Sequence, residues 1–429
     1  MKKIYQILIL IFAMTSSLSA QQITTNVTNS WFGNTNPDHL TFMPQGIEGM
    51  FVNSDGTVYT NIYWEEGGGN LTKIAVNGAV SHADGMFGWG HAGGIGICAN
   101  ASYVFAAQEY TNEGGKLYTS NPTAYPSTGN KWYGITRRNV TDISAGTPFT
   151  GGKDCIATDI VGSFLPIFTV PEVTDRATAE IKGIHATATE LFVACPYDNK
   201  IRVYNASTMA LNRSFTVTNP YHIFMDGYGK LWVSIGENAT IIESYNATTG
   251  VKEAQTINLP SGSFVGSFSI DANNRLLMGD VGQNEQVRIY TGLNSTPTLS
   301  STFGTQFGIY SGVAGQMAPL KFHQVRGIGT DNSGNIYIGN TQGYTAGPGI
   351  NVESYTSAGT LNWNKHCEMF VDCSASDEST NGASIYGPVE RYSVDYSKPA
   401  GQEATLAAYT VNRYKYPNDS RIITEGAGT

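Results

Sequence analysis

Charged side chains make up only 14% of the 429 residues, and the net charge is −9. No Lys/Arg cluster exceeds Arg137-Arg138. Nucleic-acid binding is driven mainly by phosphate neutralisation, so no nucleic-acid partner is expected. Cysteine is scarce and odd in number: Cys98, Cys155, Cys195, Cys367 and Cys373. That excludes a disulfide framework, although one or two bridges are open to an exported chain, Cys367 with Cys373 first among them. His366 beside Cys367 suggests a metal, but "HCEMFVDC" lacks a second close-spaced ligand pair of the zinc type. Nor does any G-x-S-x-G, H-E-x-x-H or phosphate loop occur in a strand-turn-helix setting. "GGIGICAN" is Gly-rich, yet it reads as a strand with no helix after it. Long apolar runs are missing as well: the longest, near the N-terminus, is far below the roughly 18 to 20 residues of a membrane span. No membrane span is expected.

That N-terminal run has a different reading. Lys2 and Lys3 precede an apolar stretch over residues 7–14, and Ser16, Ser17, Ser19 and Ala20 follow. This is the order of a signal peptide, so residues 1–20 are expected to be removed and residues 21–429 to be secreted or periplasmic. A hydrophobic content of 41% supports a large core, and the low charge favours a sheet-rich exported protein. The sequons at Asn205 and Asn246 mark surface turns.

The remaining chain repeats itself. "IDANNRLLMGDVGQNEQVRIY" (270–290) aligns with "MDGYGKLWVSIGENATIIESY" (225–245) and "TDNSGNIYIGNTQGYTAGPGINVESY" (330–355). "ATATELFVACPYDNKIRVY" (186–204), "VNSDGTVYTNIYWEEGGGNLTKI" (52–74) and "CANASYVFAAQEYTNEGGKLY" (98–118) follow the same plan. Each copy has a short apolar strand, a four-residue turn, a second apolar strand, a polar loop and an alternating strand. The turns run from Asn53 to Gly56, Asp226 to Gly229, Asp271 to Asn274 and Asp331 to Gly334. Asp or Asn in first place can bond the turn backbone, and Gly or Asn in fourth place tolerates positive φ. Short antiparallel units that cannot bury both faces alone stack radially as β-propeller blades.

The expected fold is therefore an all-β six-bladed propeller with blade starts at Gly49, Gly96, Gly183, His222, Ser267 and Gly327. The wide interval between Gly96 and Gly183 calls for a long insertion over residues 125–180 rather than a degenerate blade around "KWYGITRRNV". The last strands, "VERYSVDYS" and "AAYTVNRYKY", either close the ring with "ITTNVTNSWFG" or lead into a longer natural chain.

The run D-x-x-G-x-(L/I)-(W/Y)-(V/I), a polar loop and (I/V)-x-x-Y resembles the NHL-repeat family and the related gluconolactonase-like family of six-bladed propellers. The resemblance spans residues 45–355 and is strongest over 182–355. It implies a polar mouth where the residue before each blade start meets the end of each second strand, with the turns on the opposite face. At that mouth it places Glu48, Lys182, Tyr221, His222, Asp280, Arg326 and Asn340, with Trp89 and His91 in the loop leading to the second blade. Such a funnel is a ligand pocket for a small molecule, glycan, peptide or surface partner. Trp64, Glu65 and Glu66 offer a sugar-stacking rim, or only a solvated loop.

Gluconolactonase-like enzymes hold a divalent cation at this mouth through Glu, Asn and Asp. Here Glu48 is kept, but Lys182 or Arg326 fills the Asn position and Tyr221 an Asp position. Two cations and a phenol are not ligands of calcium or any other divalent ion. The expectation is a binding module without a cofactor. The alternative is a metal-dependent hydrolase or lyase using Glu48 and Asp280, with Asn340 and His222 nearby.

Overall fold

The computed structural model describes residues 46–63, 70–83, 91–111, 126–144, 146–155, 160–313, 315–341, 350–367, 374–387, 390–398 and 403–409. The repeated aspartates explain why the second strand follows each turn so closely. Asp226 Oδ1 accepts the amides of Tyr228 and Lys230, both at 2.9 Å, and its Oδ2 accepts Trp232 Nε1 at 2.9 Å. Asp331 does the same with Ser333, Asn335 and the Tyr337 hydroxyl, all at 2.9 Å. In Asp271 the two amide bonds recur, but Leu277 stands where the aromatic would be, and Oδ2 turns to Arg275 Nε at 2.7 Å. One carboxylate thus closes the turn and anchors a buried aromatic six residues on. Gly229 and Gly334 close their turns at φ +80, which glycine adopts without strain.

Six sheets follow in chain order. The first is β1 (Gly49–Val52), β2 (Val58–Asn61), β3 (Leu71–Ile74) and β4 (Val80–Ala83). The second has six strands: β5 (His91–Ala92), β6 (Ile97–Ala99), β7 (Tyr103–Thr111), β8 (Asn130–Asn139), β9 (Lys153–Cys155) and β10 (Ile160–Pro171). A short helix, α1 (Arg176–Ala179), leads to β11 (Ile184–Ala186), β12 (Glu190–Cys195), β13 (Lys200–Asn205) and β14 (Leu211–Thr216). The fourth sheet is β15 (Pro220–Met225), β16 (Lys230–Ile235), β17 (Ile241–Asn246) and β18 (Lys252–Asn258). The fifth is β19 (Val265–Ile270), β20 (Leu276–Asp280), β21 (Val287–Thr291) and β22 (Thr298–Phe303). The sixth is β23 (Val325–Thr330), β24 (Ile336–Thr341), β25 (Ile350–Tyr355) and β26 (Leu361–Cys367).

The inner strands β1, β6, β11, β15, β19 and β23 lie side by side in that order, and β23 packs back against β1. This is an all-β propeller, and its ring closes after the sixth sheet. Closure needs a bare backbone: a Cβ on Gly327 would stand 2.5 Å from Met50 Cβ. The six predicted starts lie on these inner strands or one residue before them. Hydrophobic clusters fill the spaces between neighbouring blades, as where Phe192 and Val203 of the third meet Ile223 and Leu231 of the fourth.

Two expectations take a different form. Among the described residues the long stretch after Gly96 adds no further inner strand; it enlarges the second blade, whose third position "KWYGITRRN" occupies as part of the ten-residue β8. The stretch "GGKLY", read as that third strand, lies outside the described residues. Among the described residues the chain's last strands do not close the ring; "ITTNVTNSWFG" and residues 410–429 lie outside them. Those last strands form a seventh sheet, β27 (Ala375–Ser376), β28 (Ser384–Tyr386), β29 (Glu390–Val394) and β30 (Ala404–Tyr409). It docks on the link between the fifth and sixth blades: Tyr392 and Leu406 pack on Ile309, and the Met317 amide donates to the Ala407 carbonyl at 2.9 Å. Among the described residues no helix is long and apolar enough to cross a membrane.

Candidate functional site

The strand registers put Glu48, Ile95, Lys182, Tyr221, Gly266 and Arg326 at one end of the channel and the Asp turns at the other. Gly49 pairs with Asn61, Val265 with Asp280 and Val325 with Asn340, so starts and second-strand ends share a face. Three inner strands are bulged at that end. The pairing skips Tyr221 and His222 in β15, Gly266 in β19 and Arg326 in β23. A bulge frees a residue from the ladder and re-aims its side chain.

Four of the predicted residues come together. Lys182 Nζ lies 5.3 Å from the Tyr221 ring centroid, and the Tyr221 and His222 rings meet edge-on at 4.9 Å. Arg326 is close enough for its charge to act on both Tyr221 and His222. Burial, with Arg326 and Lys182 adding to it, pushes the His222 imidazole down to about 3. It is neutral at physiological pH and serves no general-acid role there. Burial also raises the Tyr221 phenol above its ordinary range. Arg326 is half-buried, and its side chain makes no hydrogen bond or ion pair with any described residue.

Glu48 joins this group through residues that the sequence reading missed. Arg176 on α1 donates to Glu48 Oε2 at 2.5 Å and to Glu180 Oε1 at 2.8 Å, and Lys182 Nζ donates to Glu180 Oε2 at 2.8 Å. The Arg176 guanidinium lies 3.8 Å from the Tyr63 ring centroid. Burial raises the Glu48 carboxyl above the usual range, opposed by Arg176. Burial works against the Arg176 charge, but Glu180 and Glu48 more than offset it and hold its pKa above the ordinary value. The sequence carried a signal: Arg176 and Glu180 stand at i, i+4, just upstream of Lys182. Lys182 is therefore spent in an ion pair, and among the described residues of this group Arg326 is the cation left over.

Asp280 and Asn340 do not join the group, because both serve their own blades. The Asp280 carboxylate is fully buried and accepts Arg288 Nε at 3.0 Å, the amides of Phe264 (3.1 Å) and Gly282 (2.9 Å), and Asn284 Nδ2 at 3.3 Å. Asn340 accepts the His323 amide at 3.1 Å and donates to Glu353 at 2.9 Å. The shared logic is that a polar residue ending the second strand ties down the loop leading to the first. Trp89, and the Trp64 to Glu66 rim, lie outside the described residues. His91, in β5, pairs through its backbone with Tyr110 of β7. Cys373 and residues 1–45 also lie outside them, so neither the suggested bridge nor the leader is described.

A divalent cation does not fit Glu48 and Asp280. Each carboxylate already faces a guanidinium, one from Arg176 and the other from Arg288.

No protein-family model matches the chain, and no curated protein matches it. Solved structures are similar at low identity. A protein of unknown function from Bacteroides caccae shares 12% identity at TM-score 0.45, over 72% of this chain and 93% of that one. A streptogramin B lyase structure shares 12% at TM-score 0.40, over 72% and 92%. Kuenenia stuttgartiensis hydrazine synthase shares 10% at TM-score 0.32 over 51% of this chain, which spans 58% of that one.

Proposed function

We propose that this β-propeller is an exported, NHL-like binding module that takes a carbohydrate, peptide or surface partner at the channel mouth, through an anionic group on Arg326. One observation carries the reading. A guanidinium that has no carboxylate partner among the described residues, placed in a bulge beside two neutral rings, is a donor fork open to an acid, whereas the neighbouring charges are already paired. Tyr221 and His222 supply apolar edges for a sugar or side chain.

The test is a thermal-shift screen of acidic glycans, organic acids and acidic peptides. A ligand at about a hundredfold its dissociation constant adds about 2.7 kcal/mol of stability. Arg326→Ala is expected to weaken the best hit by about 1.5–3 kcal/mol while leaving the fold intact. A hit that binds the variant as well as the native protein removes the mouth as its site.

A further inference from the structure

The opposite end of the channel has another chemistry. A cavity of about 280 Å³ runs along the axis from beneath Lys182 and His222 to the turn face, where Ser54, Ala272 and Asn332 are exposed at its edge. Two phenylalanines cross this space. Phe51 lies on β1, two residues before its turn, and Phe224 lies on β15, two residues before Asp226. Blades one and four stand opposite each other in a ring of six, so the rings approach across the axis. Their centroids are 6.5 Å apart, their planes are 19° from parallel, and both are half-buried. His185, from blade three, backs Phe224 at 4.4 Å. Phe268 lines the wall beside them.

The charge around this end is acidic. Asp271 and Asp331 line the cavity, and Asp55 and Asp226 sit in the neighbouring inner turns. Asp271 has Arg275 as a partner. The carboxylates of Asp55, Asp226 and Asp331 are held only by amides, hydroxyls and an indole among the described residues, so their charge is not compensated. Aromatic faces under uncompensated carboxylates attract a cation and disfavour an anion.

We propose that the turn-side half of the channel is a second binding site, for a planar organic cation stacked on Phe51 and Phe224 at the Asp331 end of the cavity. The site goes beyond the mouth reading and stands without it, because it shares neither the open end nor the sign of charge. The experiment is calorimetric titration of the full chain with 1-methylquinolinium, against neutral 2-naphthol and anionic 1-naphthoate. The cation binds best and the naphthoate worst. Phe224→Leu weakens the quinolinium roughly fivefold or more. Ala272→Trp, an exposed turn substitution that leaves both phenylalanines in place, blocks it, and Arg326→Ala leaves it unchanged. Circular dichroism establishes that each variant is folded. No heat at millimolar quinolinium, equal affinity for cation and anion, or binding indifferent to both Phe224→Leu and Ala272→Trp overturns the proposal. Loss on Arg326→Ala alone puts the probe at the mouth and also overturns it.

Discussion

Asp280 and Arg326 are both charged residues near the same end of the channel, and they act in opposite ways. Asp280 is fully buried with Arg288 and two backbone amides, so Asp280→Ala leaves a guanidinium and two amides without their acceptor. Chemical denaturation is expected to show a loss of about 3–5 kcal/mol. Arg326→Ala should shift the same curve by less than about 0.5 kcal/mol, as for a change that breaks no packing or pairing. A second residue-scale prediction concerns Trp232, whose indole donates to Asp226. Trp232→Phe removes that donor from a buried carboxylate and should cost about 1–3 kcal/mol in the same measurement. The sequence showed which residues recur, since Asp226, Asp271 and Asp331 announce themselves by spacing. It did not show that Asp280 is spent within its own blade, because Arg288 reaches it only through the pairing of β20 with β21.

Strand β25 carries a buried acid, Glu353, whose titration adds a pH dependence to stability. Glu353 is buried, and burial pushes its carboxyl up to about 7, against hydrogen bonds from Tyr355 and Asn340 that favour the charged form. In the unfolded chain it titrates near 4.5. Between these values the folded state holds the extra proton, so stability falls as pH rises from about 4.5 to 7 and stays lower above that. Glu353→Gln is expected to remove this loss. Urea unfolding at pH 5 and pH 8 should show the native protein losing up to roughly 3 kcal/mol more than the variant. His222 has the opposite sign: it is held neutral down to about 3, so its contribution is lost as pH falls from the ordinary imidazole value of 6.5 towards 3. At the same scale, α1 is a four-residue helix tied to the mouth by Arg176. Arg176→Ala strands Glu48 beside Glu180 and should speed amide exchange along α1 and at Ile95, whose amide Glu180 accepts.

Ring closure is a property of the whole molecule. No blade buries both faces by itself, so the meeting of β23 with β1 completes a core that local contacts only begin. Gly327→Val places a branched side chain where even a Cβ meets Met50, and the two strands must part. The expected outcome is a loss of more than about 3 kcal/mol, with an earlier, broader thermal transition in calorimetry as the ring opens at one seam. Gly229→Ala, in an open turn with nothing near its Cβ, should cost only the strain of its positive φ, about 1 kcal/mol. Among the described residues the two ends of the finished channel differ in sign, an unpaired guanidinium at one and uncompensated carboxylates at the other, although the sequence distributes both kinds of residue along its length.

The sequence by itself determined the blade, because a blade is local: turn aspartates, positive-φ glycines and short apolar strands lie within about forty residues and specify one another through backbone hydrogen bonds. It also determined which end of each inner strand faces the mouth, since strand polarity follows from the order of turn and loop. Tertiary structure decided the rest. Whether a charged residue is free or spent depends on partners brought in from other elements, as Arg176 is to Glu48 across 128 positions. The bulges that re-aim Tyr221, His222 and Arg326 arise from pairing mismatches that no spacing rule records. The near-parallel approach of Phe51 and Phe224 exists only because six wedge-shaped sheets place the first opposite the fourth.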